Sequence, residues 1–147
     1  MKVPGLLESQ TGPAPPDGGS QPAASTLTVD IVSARSASGK PRVALFHDAA
    51  GFPEASSNAV RRQEVDIDAS TLSAHAVFPN VPPGIYAVSV VHDENMNGKL
   101  DKNFLRIPSE GYGTSNNPGK KLRAPRFDEA EFVSKAADQT VGVKLVY

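Results

Sequence analysis

Oxygen-bearing side chains recur at every second position in the stretch Asp93-Glu94-Asn95-Met96-Asn97-Gly98-Lys99-Leu100-Asp101. With Asp93 as loop position 1, side-chain oxygens fall at positions 1, 3, 5 and 9, which are Asp93, Asn95, Asn97 and Asp101. Gly98 stands at position 6, where a cation-wrapping loop turns sharply, and Lys99 at position 7 offers its main-chain carbonyl. Hard oxygen donors at alternate positions, a glycine and one carbonyl are what calcium requires. The helix-loop-helix form would carry a bidentate Glu at position 12, but Phe104 stands there and Pro108 opposes a following helix. The stretch therefore reads as the shorter Asp-x-Asn-x-Asn-Gly-x-x-Asp loop that joins β-strands. Two carboxylates and two amides make a weak site, with a dissociation constant on the order of 10⁻⁴ to 10⁻³ M. The competing reading is an Asx-rich turn whose side chains cap their own backbone and hold no ion.

Between Glu94 and Arg123 the chain makes a connection far longer than the usual two to six residues, and such loops bind something or are pinned in place. Within it, Glu110 would add a carboxylate to the calcium loop if the chain folds back. Tyr112 lies between Gly111 and Gly113 and reads as an anchor at a hydrophobic edge. The alternative is a ligand-contacting surface formed by Glu110, Tyr112, Ser115 and Asn116, one flat apolar face with several hydrogen-bonding groups.

The dipeptide His-Asp occurs twice, at His47-Asp48 and His92-Asp93, each ending an expected strand. If both ends lie at one pole, two imidazoles and two carboxylates could hold zinc or copper; otherwise each histidine caps its strand. No nucleophile-base pair, phosphate cradle or His-Glu-x-x-His motif is recognisable, so a non-catalytic protein is expected. With no Cys there is no disulfide or thiolate chemistry, and with no Trp a sugar-stacking platform is weakened.

The elements that must position these groups show the two-residue period of half-buried strands. Leu27, Val29 and Ile31 alternate with Thr28 and Asp30; further strands are expected at 42–47, 65–67, 72–78, 85–92, 127–133 and 141–147. Only Glu54 to Arg62 is weakly helical, and with no helix available for a parallel crossover the strands are expected to pair mainly antiparallel. The turn Asn80-Val81-Pro82-Pro83-Gly84 should use the conformational freedom of Gly84, then direct Tyr86, Val88 and Val90 to one face. The predicted fold is all-β: a seven-stranded antiparallel Greek-key sandwich with a long ordered loop after the fifth strand.

Residues 26–147 suffice for a single core, whereas nine of residues 1–24 are Gly or Pro, so 1–25 are expected to be a disordered leader or linker. That leader suits the spacer after an export signal or lipid anchor; an expression-vector remnant is the other reading. The 15 basic and 16 acidic residues balance to −1, which leaves no field to attract nucleic acid. No run approaches the ~20 apolar residues of a spanning helix.

The hairpin Ala76 to Val90, with its Pro-Pro-Gly-Ile-Tyr-Ala-Val-Ser-Val core, resembles a hairpin common in prealbumin (transthyretin)-like sandwiches. A wider resemblance rests on His92 to Asp101, Asn103-Phe104, Pro108-x-Glu110-Gly111-Tyr112-Gly113-x-Ser115-Asn116-Asn117 and Pro125-x-Phe127-Asp128-x-Ala130. Over roughly residues 26–147 these look like the bacterial domain of unknown function "twenty-one forty-one". The chain departs from that pattern at Arg106, where Gly is usual, and at Thr114, where an aromatic is usual. The resemblance implies an exported protein of the periplasm or cell surface and supplies no reaction. The combined expectation is a calcium-binding envelope module that meets a protein or glycan partner; the alternative is a structural domain that binds no metal.

Overall fold

The computed structural model of the chain describes residues 24–97, 110–118 and 124–147. The expected leader lies outside these residues except at its end, since Ser25 already belongs to the first strand. In chain order the elements are β1 (Ser25–Val32), β2 (Lys40–Phe46), a 3-10 turn (Ser56–Asn58), β3 (Arg61–Glu64), β4 (Ala74–Val81) and β5 (Gly84–Asp93). After them come β6 (Tyr112–Thr114), helix α1 (Phe127–Ala130), β7 (Phe132–Ser134) and β8 (Gln139–Lys144). The chain is mostly β, in two sheets, as the alternation predicts. One sheet runs β4-β1-β8; the other runs β3-β2-β5-β6, with β7 also paired to β5.

The strand count among the described residues is eight rather than seven, and the differences are physical. Phe127–Ala130 is a helical turn, because the Arg126 N–H donates to Glu129 Oε1 at 2.9 Å and the Glu129 N–H to the Arg126 carbonyl at 3.0 Å. Strand β7 starts only after it. The expected strand at 65–67 is displaced to Arg61–Glu64, although Val65 and Ile67 still pack against the core. β6 was not expected at all. β1 and β8 pair in parallel, Val29 opposite Val141 and Ile31 opposite Val143. No crossover helix is needed, because the whole domain between the first and last strands forms the connection.

Each sheet contributes its inward residues to one core: Leu27, Val29, Ile31 and Phe78 from the first, Val43, Leu45, Val88 and Val90 from the second. The second sheet is covered on its outer face as well. There Phe46, fully buried, meets Phe52 edge-on at 5.2 Å between ring centroids, and Phe52 meets Phe127 of α1 at 5.9 Å. In the β4–β5 turn it is Asn80, at φ 58°, that takes the left-handed conformation, and Gly84 does not. Tyr86 instead secures this turn by donating its hydroxyl to the Pro82 carbonyl at 2.8 Å.

Candidate functional site

β5 is the longest strand, and its last residue, Asp93, is fully buried. The chain then curls within four residues. Met96 adopts φ 58°, and the Asn97 N–H lies 3.1 Å from Asp93 Oδ1 and 3.2 Å from Asn95 Oδ1. Two side-chain oxygens from alternate positions thus converge on one amide, as an Asx turn brings them together. Of the five expected ligands, Asp93, Asn95 and Asn97 are described, while Lys99 and Asp101 lie outside the described residues.

Glu110 returns to the same turn from the far side of the loop. It is 5% exposed, and its Oε2 accepts the Glu94 N–H at 2.9 Å, on the peptide that follows Asp93. Among the described residues no group of three or more His, Cys, Asp or Glu side chains converges. The carboxylates of the described part of the site are Asp93 and Glu110, and the Asn95 amide oxygen meets Asp93 at the Asn97 N–H.

A polar frame fixes the turn from below. Gly39, at φ 62°, passes so close that a Cβ there would collide with the Asp93 carbonyl oxygen. Arg35 grips Glu94 through two nitrogens, one of them Nε at 3.1 Å from Oε2, and Ser36 Oγ adds a bond to the same oxygen at 3.2 Å. The Arg35 hydrogen bond holds the Glu94 carboxyl below its ordinary pKa range. Glu94, which points at Arg35, is therefore occupied as a clamp.

His92 is wholly buried beside this turn. Its Nε2 lies 2.7 Å from the Ser38 carbonyl and its Nδ1 lies 2.6 Å from the Tyr147 hydroxyl, which also accepts the Arg35 N–H at 3.1 Å. A carbonyl only accepts, so Nε2 carries a proton toward Ser38. Burial pushes the Tyr147 phenol pKa up, which keeps its hydroxyl protonated. Both ring nitrogens thus have partners. The sequence marks His92 as a metal candidate or strand cap; the structure makes it the buttress of the turn, for which its place one residue before Asp93 is the available signal.

The two His-Asp dipeptides do not share a pole. Lys40 pairs with Asp93 and Phe46 with Ala87, so β2 carries the exposed His47 to the end of the sheet away from His92. The zinc or copper reading falls with that separation.

In the long loop, Tyr112 is half-buried, and its main chain joins the sheets by exchanging two bonds with Val146 at 3.0 and 2.9 Å. The glycines beside it permit close approach: a Cβ on Gly113 would come within 2.7 Å of the Lys144 carbonyl oxygen, and one on Gly111 would strike the Tyr147 ring. Ser115 is fully buried, accepting the Val88 N–H at 3.0 Å and donating to the Ala130 carbonyl at 2.6 Å. Asn116, at φ 65°, donates to the carbonyls of Glu129 and Glu131 at 3.3 and 2.8 Å. Ser115 and Asn116 thus tie the loop to the α1 region.

No helix of the described residues is long and apolar enough to cross a membrane. The pattern of the bacterial family described as "Uncharacterized protein conserved in bacteria (DUF2141)" matches residues 29–142. No curated protein and no solved structure matches the chain.

Proposed function

Because the chain belongs to this bacterial family, whose matched region spans both sheets, we propose that it is a non-catalytic module of the bacterial envelope that binds one calcium ion at the turn after β5. The observation that carries this reading is the convergence of Asp93 and Asn95 oxygens on the Asn97 amide, with the Glu110 carboxylate brought back onto the adjoining peptide. The described donors fit a hard cation: all are oxygens, and the two carboxylates among them, Asp93 and Glu110, are buried. Asp93, Asn95, Asn97, Asp101 and the Lys99 carbonyl would hold the ion, and Glu110 would close the shell. A bound ion would tie the end of β5 to the long loop and stiffen one pole of a prealbumin-like sandwich.

Export to the periplasm or cell surface suits so weak a site, because millimolar calcium outside the cytoplasm would fill it. The stiffened loop, with Tyr112 at its edge, would face a protein or glycan of the envelope. A second reading has its own support, since the Asn97 amide satisfies both Asx oxygens without an ion; the module would then act through packing alone. Calorimetric titration of chelator-treated protein separates the two. One calcium per chain with a submillimolar to millimolar constant supports the first, and heat no greater than dilution refutes it.

A further inference from the structure

Three strand edges in this domain end on side-chain amides. On β4, the Gln63 Nε2 donates to the Val77 carbonyl at 2.9 Å and Gln63 Oε1 accepts the Val77 N–H at 3.2 Å. On β8, Asn117 Nδ2 donates to the Gly142 carbonyl at 3.2 Å and Asn117 Oδ1 accepts the Lys144 N–H at 2.8 Å. On β7, Gln139 Nε2 donates to the Val133 carbonyl at 3.3 Å and Gln139 Oε1 accepts the Lys135 N–H at 3.1 Å. A primary amide carries one acceptor oxygen beside a donor nitrogen, the same pair that a peptide group on a neighbouring strand would offer. Each of these side chains therefore takes the place of one residue of an absent strand.

The rest of the two outer edges is closed in matching ways. Two residues beyond Val77, on the same side of β4, Pro79 has no N–H to offer, and Arg61 covers the Pro79 and Asn80 carbonyls at 2.8 and 2.9 Å. Beyond Lys144, Val146 is paired with Tyr112. The β4–β1–β8 sheet is thus sealed at one side by β3 side chains and at the other by the segment around β6. Unpaired edges are templates for strand addition, and this protein has little else to hold copies apart. Its net charge of −1 gives almost no mutual repulsion, and Val77, at the centre of the β4 edge, is 47% exposed.

We propose that Gln63, Asn117 and Gln139 are edge stoppers that keep the domain monomeric, and that the partner they exclude is the same edge of a second copy of this chain. The test compares the full chain with Gln63→Ala and Asn117→Ala, one stopper lost from each side of the sheet. Hydrogen exchange at Val77 and Lys144 should accelerate about tenfold when their amide partner is removed, the equivalent of one net hydrogen bond. Sedimentation velocity at rising concentration should show wild type as a monomer and each variant associating. Adding Val77→Lys to Gln63→Ala should restore the monomer, because a charged edge side chain opposes pairing. The proposal is overturned if either folded variant exchanges faster at its freed amide yet stays monomeric throughout. It is equally overturned if exchange is unchanged. Should an alanine variant not fold, Gln63→Met, which keeps the side-chain length, and Asn117→Gly, which accepts the left-handed backbone at φ 46°, both lose the amide and are read by the same two criteria.

Discussion

Calcium should raise the stability of the chain by an amount that its ligand set fixes in advance. For a dissociation constant between about 0.1 and 1 mM, binding to the folded state alone adds about 1.4 to 2.7 kcal/mol at roughly 10 mM free ion. For a folded unit of about 120 residues that corresponds to a rise of about 4 to 10 °C in melting temperature. The sharper quantity is the slope: once the ion exceeds its dissociation constant, each tenfold increase adds about 1.4 kcal/mol. The decisive variant is Asp93→Asn. Its side chain keeps the oxygen that accepts the Asn97 N–H, so the turn remains possible while a buried ligand charge is lost. Scanning calorimetry of wild type and variant, after chelation and then in stepped calcium, should show the slope in wild type and its loss in the variant. Magnesium at equal ionic strength should produce little shift, because it dehydrates reluctantly and demands a tighter octahedron. A wild-type melting temperature that stays flat from chelator to 10 mM calcium, or rises equally with magnesium, would refute the metal.

Other outcomes follow from the frame and the core. Tyr147→Phe removes the hydroxyl bonded to His92 Nδ1, which is also the acceptor of the Arg35 N–H, and should cost about 1–3 kcal/mol in urea unfolding. Phe46→Ala, at a wholly buried ring that meets Phe52, should cost about 3–5 kcal/mol by the same measurement; a loss below 1 kcal/mol would mean that the outer aromatic layer is not packed. Asp68 is held below its ordinary carboxyl pKa by hydrogen bonds from the Ser70 hydroxyl and amide. A lowered folded-state value stabilises the fold above the ordinary carboxyl range and loses that contribution as pH falls through the folded pKa. Ser70→Ala should therefore move the Asp68 midpoint upward in an NMR titration, and an unmoved midpoint would deny the hydroxyl its role.

How much of this was legible in the residues depended on whether burial or pairing set the pattern. β1 and β4 bury every second side chain along most of their length, and β2 does so at its start, so alternation locates them; β5, covered on both faces, buries Tyr86 to Val90 without a break and is located by its β-branched and aromatic residues. Val65 and Ile67 show where that signal misleads: they pack against the core, yet the ladder ends at Glu64. Periodicity reports which side chains face inward and is silent on which amides are paired. β3 escaped notice for the converse reason, since Arg61-Arg62-Gln63-Glu64 has no apolar residue and spends two of its side chains on the edge of β4. Three-residue β6 carries too few positions for any period, and its Gly113 conceals a close approach to β8 that only the assembled sheets reveal.

The oxygen spacing of the turn after β5 was legible in the chain, and the supports of that turn were not. Asp93, Asn95 and Asn97 could be chosen from the chain because alternate oxygens are a local property, set by the turn itself. Arg35, Ser38, His92 and Tyr147 come from separate parts of the chain and meet only because β1 leads into the 33–39 loop beside the end of β5, where the residues after β8 also arrive. Their hydrogen bonds link positions more than fifty residues apart, a range at which no spacing rule operates. If a calcium ion binds, its affinity depends on both levels. The loop supplies the oxygens, and the frame bears the entropy of holding the first of them still, so weakening Tyr147, which holds His92 beside Asp93, should lower calcium affinity.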